Sequence, residues 1–103
     1  MKIVGITACP TGIAHTYMAQ EALEKKAKEM GHECHIETQG SIGVENELTK
    51  KQIKEADVVI LAVEVVIEGM DRFEDKLVFK ESIAKCISHP GEVILDALSK
   101  VQK

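Results

Sequence analysis

The chain has 103 residues, of which 45% are hydrophobic and 29% are charged, and its formal net charge is −4. This length and composition predict a single soluble globular domain, residues 1–103, while the acidic balance and 3% aromatic content argue against nucleic acid as a partner. The longest apolar run, Val58 to Val63, is far shorter than the roughly 20 residues of a membrane span, and no signal-peptide pattern opens the chain. We therefore expect a cytoplasmic protein with no direct membrane span.

The first half of the chain predicts two strands joined by a helix. Residues 2–8 are apolar and rich in β-branched side chains, which indicates a buried strand. Apolar residues then recur at helical spacing from about 13 to 30, and Gly31 is suited to end that helix. Residues 33–38 alternate as a second strand, and residues 39–43 are expected to form a loop.

The second half predicts a central strand with helices around it. Thr49 and Gln52 have the spacing of a capping box, which predicts a short helix to about Ala56. The run from Val58 to Val63 is apolar on both faces, as expected for a parallel strand covered on both sides. The remaining predicted elements are a strand at 77–79, a helix at about 82–87 and a helix from Pro90 to the end.

This alternation predicts an α/β protein. We expect a three-layer α/β/α sandwich with a mainly parallel four-stranded sheet, a Rossmann-like fold. Right-handed crossovers place helices on both faces and bring the strand-to-helix loops to one edge of the sheet. The three loops expected to meet there are residues 9–16, 39–45 and 64–73, with Cys9 at the centre of the site.

Cys9 lies where the first strand gives way to the first helix. A helix start offers unpaired N–H groups and partial positive charge, which stabilise a thiolate and bind anions. Pro10 stiffens the loop and Gly12 lets the backbone approach an anion, while the hydroxyls of Thr7, Thr11 and Thr16 are candidate donors. Cys9 is thus the predicted nucleophile, and the predicted phosphate-binding loop consists of Pro10, Thr11, Gly12, Ile13, Ala14, His15 and Thr16.

The other sulfur and imidazole groups do not suggest a metal or redox site. Three cysteines are an odd number, and no Cys-x-x-Cys pair is present, so reduced thiols are expected. His32, Cys34 and His35 lack a fourth ligand nearby, and strand alternation separates them onto two faces. We expect no bound metal and no cofactor.

Three functions are compatible with a cysteine at this position. Cysteine-dependent phosphatases carry an arginine six residues after the cysteine, but His15 occupies that place here. The chain therefore favours a phosphoryl carrier over a hydrolase, with a non-catalytic regulatory module as a third alternative. The residues leave open whether His15 contacts phosphate or is a surface side chain, and for Glu64 and Glu68 a solvated loop is favoured over a carboxylate pair.

The stretch from Thr7 to Thr16 resembles the signature of the fructose-family IIB component of the bacterial phosphoenolpyruvate-dependent sugar phosphotransferase system. The resemblance covers nearly the whole chain and includes residues 37–41, residues 45–49 and Arg72-Phe73. The chain departs from typical members between Val63 and Met70, where those carry Asp. Accessory site residues that the resemblance or the loop positions suggest are Thr7, Thr38, Gln39, Gly40, Ser41 and Arg72.

The resemblance implies a pathway for a phosphoryl group. A phosphohistidine on a IIA partner donates the group to Cys9, and phospho-Cys9 passes it to a sugar held by a IIC membrane permease. Fructose or a fructose-like sugar is the family's substrate. The chain is then expected to associate with the inner face of the membrane through the permease.

Overall fold

The computed structural model describes residues 1–9, 13–40, 43–64, 67 and 69–101. Within these ranges the strands are β1 (Lys2–Ala8), β2 (Glu33–Gly40), β3 (Gly43–Glu45), β4 (Val58–Val63) and β5 (Val78–Lys80). The helices are α1 (Ile13–Glu29), α2 (Lys50–Glu55), α3 (Ile83–Ser88) and α4 (Pro90–Val101), with a 3-10 turn at Met70–Phe73. No helix in the described ranges is long and apolar enough to cross a bilayer.

The strands form one sheet in the order β3-β2-β1-β4-β5. β1 lies at the centre and pairs in parallel with both β2 and β4, and β4 pairs in parallel with β5. The α/β prediction is confirmed, but the sheet has five strands rather than four. The extra strand is β3, which pairs antiparallel with the end of β2 through residues that the sequence placed in a loop, including Gln39 and Gly40.

The extra strand escaped prediction for a physical reason. β3 has only three residues, all exposed, so it has no apolar face to produce an alternating pattern. Its pairing depends on the backbone of β2, whose last two residues continue beyond the apolar stretch. Ser41 and Ile42, which connect the two strands, lie outside the described residues.

Two apolar clusters sandwich the sheet. On one face, α1, α3 and α4 pack against β1, β2 and β4, with Leu23, Ile36, Ile60 and Ile94 fully buried. On the other face, α2 and the 3-10 turn cover the alternate side chains of β1 and β4. The helix ends agree with the sequence: Thr49 and Gln52 form the predicted capping box, and α1 ends before Gly31 at φ 85°.

The order of the strands determines where a ligand can bind. From β1 the chain passes through α1 to β2 on one side, and later returns through α2 to β4 on the other side. The carboxyl end of β1 is therefore the point at which the winding direction reverses, and ligands of open α/β sheets bind in the crevice at such a point. Cys9 is the residue that follows β1 there.

The centre of the sheet requires glycine at position 5. A Cβ at Gly5 would lie 2.4 Å from the carbonyl oxygen of Ile60 on β4 and 3.0 Å from Cδ1 of Ile36 on β2. The first contact is with backbone, which cannot move aside without separating two hydrogen-bonded strands.

We predict that Gly5→Ala lowers the free energy of unfolding by about 3 kcal/mol, the upper end of the cost of overpacking. Gly91→Ala in α4 is the matched control, because its Cβ would meet only the flexible side chain of Lys26, at 3.1 Å. Urea unfolding monitored by circular dichroism measures both variants. Equal stability of Gly5→Ala and the wild type would contradict the close approach of β1 and β4.

Candidate functional site

The three predicted loops meet at the carboxyl edge of the sheet. The Tyr17 hydroxyl donates a hydrogen bond to the Glu45 carboxylate, which joins the start of α1 to β3. The Cys9 thiol contacts the Glu64 carboxylate, which joins the end of β1 to the end of β4. The described residues thus confirm that these segments converge.

Cys9 is partly buried at the end of β1 and packs against the cluster under α1, α3 and α4. Its Sγ lies 3.8 Å from Oε1 of Glu64, a distance at which a thiol donates a weak hydrogen bond. Both side chains open into a surface depression whose described lining also includes His15 and Met18 from α1 and Ile83, Ala84 and Ile87 from α3. The thiol is therefore accessible from the surface beside an apolar wall.

The predicted phosphate-binding loop is described only in its second half. Ile13, Ala14, His15 and Thr16 form the first turn of α1, where backbone N–H groups have no partner within the helix. His15 is exposed and Thr16 is buried. Pro10, Thr11 and Gly12 lie outside the described residues.

The accessory threonines lie below the start of α1 rather than at its surface. Thr7 is fully buried, and its hydroxyl donates a 3.1 Å hydrogen bond to the Thr16 carbonyl, so it fixes α1 against β1. Thr38 lies beside Thr7 in the sheet. The hydroxyls of Thr16 and Thr38 are buried without a hydrogen-bond partner among the described residues.

Glu37, which the sequence did not single out as a functional residue, organises this edge from the opposite face. Its carboxylate is fully buried and accepts a fork of hydrogen bonds from Arg72, at 2.8 and 3.0 Å. The carboxylate also accepts hydrogen bonds from the side-chain amide of Gln39 and from the backbone N–H of Leu48. The Nε of Arg72 donates a further hydrogen bond to the Gly69 carbonyl. One carboxylate thus ties the end of β2 to the segment before α2 and to the 3-10 turn.

The charge of Glu37 is stabilised although the group is buried. Burial by itself raises the pKa of the Glu37 carboxyl, but the hydrogen bonds from Arg72, Gln39 and Leu48 outweigh it and hold the pKa below its ordinary value. The Glu37 hydrogen bond likewise raises the pKa of Arg72. Arg72 and Gln39, both predicted as accessory site residues, therefore contribute to a structural network around Glu37.

The other two thiols differ from Cys9 in their surroundings. Burial, together with the negative charge of Glu24, raises the pKa of Cys34 to about 12. Burial, together with the charge of Glu81, raises the pKa of Cys86 to about 12. Neither of these thiols is a nucleophile at neutral pH, because the thiolate is the reactive form.

Comparison with known proteins identifies the family. The family described as "PTS system, Lactose/Cellobiose specific IIB subunit" matches residues 4–96. The chain belongs to this family of IIB subunits, which are phosphotransferase components of the sugar phosphotransferase system (PTS).

Individual relatives are similar over most of the chain. An Escherichia coli protein named "PTS system fructose-like EIIB component 2" is 46% identical over 93 residues, which are 90% of this chain and 88% of that protein. A crystal structure of a domain from a Borrelia burgdorferi fructose-specific IIABC component is 49% identical, with a TM-score of 0.89, over 95% of this chain and 93% of the domain.

Some relatives are much longer proteins. A Vibrio cholerae protein named "PTS system fructose-specific EIIB'BC component" is 43% identical over 101 residues. Those residues are 98% of this chain but only 17% of that protein.

We predict that Arg72→Leu destabilises the fold by about 3 kcal/mol at neutral pH, because it leaves the Glu37 carboxylate buried without its cation. The wild-type Glu37 pKa is lowered, so its contribution is complete above its ordinary value of 4.5 and is lost as pH falls below that value. In the variant, burial without the guanidinium raises the pKa of the Glu37 carboxyl, so the stability difference between wild type and variant should narrow as pH falls, beginning above pH 4.5. Chemical denaturation at several pH values measures it, and a difference independent of pH would contradict the ion pair.

We also predict that iodoacetamide modifies Cys9 of the native protein at pH 7.5 about 100-fold or more faster than Cys34 or Cys86, because burial keeps the latter two protonated. Peptide mass spectrometry after timed quenching gives the three rates. In urea all three cysteines should react at similar rates, which is the control. Equal native rates for Cys9 and Cys34 would contradict the assignment.

Proposed function

We propose that this chain is a single IIB phosphocarrier domain, residues 1–103, in which Cys9 carries the phosphoryl group. The observation that carries the proposal is the position of this thiol, partly exposed at the winding reversal of the sheet beside the first turn of α1. The thiol supplies a nucleophile, and the N–H groups of that turn supply donors for phosphoryl oxygens. Membership of the PTS IIB family supports the same chemistry.

The proposed phosphate-binding loop runs from Pro10 to Thr16, and its second half is the first turn of α1. Thr7 holds this turn through its hydrogen bond to the carbonyl of Thr16, which belongs to the turn, and Thr38 pairs with Thr7 in the sheet. Gln39, Gly40 and Ser41 are proposed to border the site from the β2 side. Arg72 is proposed to act by holding Glu37 and, through it, the neighbouring loops.

Two partners follow from this role. A IIA protein or domain with a phosphohistidine is the proposed donor, and a IIC permease with its bound sugar is the proposed acceptor. The names of the relatives support this assignment, since one is an EIIB'BC component and another contributes a domain of an IIABC component. The names also make fructose or a fructose-like sugar the proposed substrate. We propose that the domain works at the inner face of the membrane, where the permease is reached.

A cysteine phosphatase is not favoured as the alternative. Position 15 is His rather than Arg, and the guanidinium of Arg72 is committed to Glu37 on the opposite face of the sheet from Cys9. A purely regulatory module is not favoured either, since it gives no reason for an accessible thiol at this position.

We predict that incubation with phosphoenolpyruvate and the upstream phosphotransfer proteins, ending in a phosphohistidine IIA domain, adds one phosphoryl group to the protein. Cys9→Ser should abolish this labelling, because a hydroxyl is a far weaker nucleophile than a thiolate at neutral pH. Intact-protein mass spectrometry measures the label, and Cys34→Ser is the matched control that should be labelled like the wild type. Labelling of Cys9→Ser at the wild-type rate would refute the thiol mechanism.

A further inference from the structure

The carboxylate of Glu64 contacts the Cys9 thiol. Oε1 of Glu64 lies 3.8 Å from Sγ of Cys9, and the Glu64 backbone N–H donates a 3.0 Å hydrogen bond to the Ala8 carbonyl. That backbone bond extends the pairing of β1 and β4 one residue beyond the strands. Glu64 is therefore anchored beside Cys9 although it follows the end of β4.

Strand alternation explains why the two side chains meet. Ile3 on β1 and Ile60 and Ala62 on β4 face the layer of α1, α3 and α4, and Cys9 also packs against that layer. Ala8 pairs with Val63 in the parallel register, so the next residues, Cys9 and Glu64, are neighbours on the same face. The contact follows from the register of the sheet rather than from a chance side-chain rotamer.

Glu64 is exposed, and it lines the same depression as the Cys9 thiol. Among the described residues that line the depression, the titratable groups are Cys9, Glu64 and His15, and the others are apolar. A carboxylate that stays charged beside sulfur repels an incoming phosphoryl group, which is itself an anion. The arrangement is favourable for phosphoryl transfer only if this charge is neutralised during the reaction.

We propose that Glu64 is the catalytic base that accepts the Cys9 thiol proton when the phosphoryl group arrives; this inference rests on the proposed function. In the step, an electron pair of Sγ forms the S–P bond. The P–N bond of the donor phosphohistidine breaks, and its electron pair stays on that ring nitrogen; the other ring nitrogen already carries a proton, so the donor leaves as neutral imidazole. The proton of the thiol moves from Sγ to Oε1 of Glu64, so the carboxylate becomes a neutral carboxylic acid.

This proton transfer removes the repulsion between Glu64 and the phosphoryl group while the S–P bond forms. Before the step, the carboxylate of Glu64 carries one negative charge beside the neutral thiol. After the step, Glu64 is a neutral carboxylic acid. The neutral acid has an O–H group that can donate a hydrogen bond to an oxygen of phospho-Cys9. Glu64 thus serves first as proton acceptor and then as hydrogen-bond donor, within reach of the same sulfur.

The test compares two reactions of the same thiol in Glu64→Gln. Single-turnover phosphorylation by the phosphohistidine IIA domain should slow about 100-fold, the usual lower range for loss of a general base. Alkylation by iodoacetamide at the same pH should proceed at the wild-type rate or faster, because it uses thiolate already formed and the neutral amide does not repel it. Glu64→Asp keeps a carboxylate and should recover part of the phosphorylation rate.

Glu29→Gln at the exposed end of α1 is the matched control for the charge change and should phosphorylate like the wild type. Wild-type rates for Glu64→Gln in both reactions would overturn the proposal. Equal slowing of both reactions would also overturn it, since Glu64 would then act on the thiol site as a whole. Absence of phosphorylation in the wild type itself would instead refute the proposed function, and the role of Glu64 with it.

Discussion

The parallel register of β1 with β2 and β4 is the constraint on which the site depends. Parallel pairing requires the carboxyl ends of all three strands to lie at one edge, and Ala8 pairs with Gln39 on one side and with Val63 on the other. The residues that follow, Cys9 and Glu64, are therefore neighbours because of the register, and their side chains are in contact. Gly5 permits this arrangement, since a Cβ there would meet the β4 backbone. The geometry of the backbone thus places the Cys9 thiol beside the Glu64 carboxylate.

The buried Glu37–Arg72 pair fulfils a second requirement, which is to hold the loops that leave this edge. Glu37 joins Arg72, Gln39 and the Leu48 backbone, and Arg72 also holds Gly69. Taking a carboxylate and a guanidinium out of water is costly, and replacement by apolar side chains is often neutral or better for stability. The value of the pair therefore lies in fixing the positions of the neighbouring loops, on the face of the sheet opposite Cys9.

Local sequence patterns predict the helices and strands correctly wherever an element has an apolar face or a capping residue. β4, apolar throughout, was predicted at its observed bounds, and the capping box at Thr49 was predicted with its partner Gln52. The prediction missed β3 because a three-residue exposed strand has no hydrophobic signal. The interpretation of Glu64 as a solvated residue agrees with its exposure, but its contact with Cys9 follows only once β1 and β4 are paired in register. The sequence predicts Arg72 only as an accessory site residue, because it does not indicate that the buried Glu37 carboxylate binds this side chain.

The sequence by itself determined the α/β class, the strand-to-helix junction at Cys9 and the family, because periodicity, caps and a contiguous motif are local properties of a chain. Only the tertiary structure decided which side chains meet across that junction. Glu64 lies 55 residues from Cys9 in the chain and 35 residues separate Glu37 from Arg72. Such pairs depend on strand order and register, which no local pattern encodes, and these long-range contacts determine the environment of the Cys9 thiol.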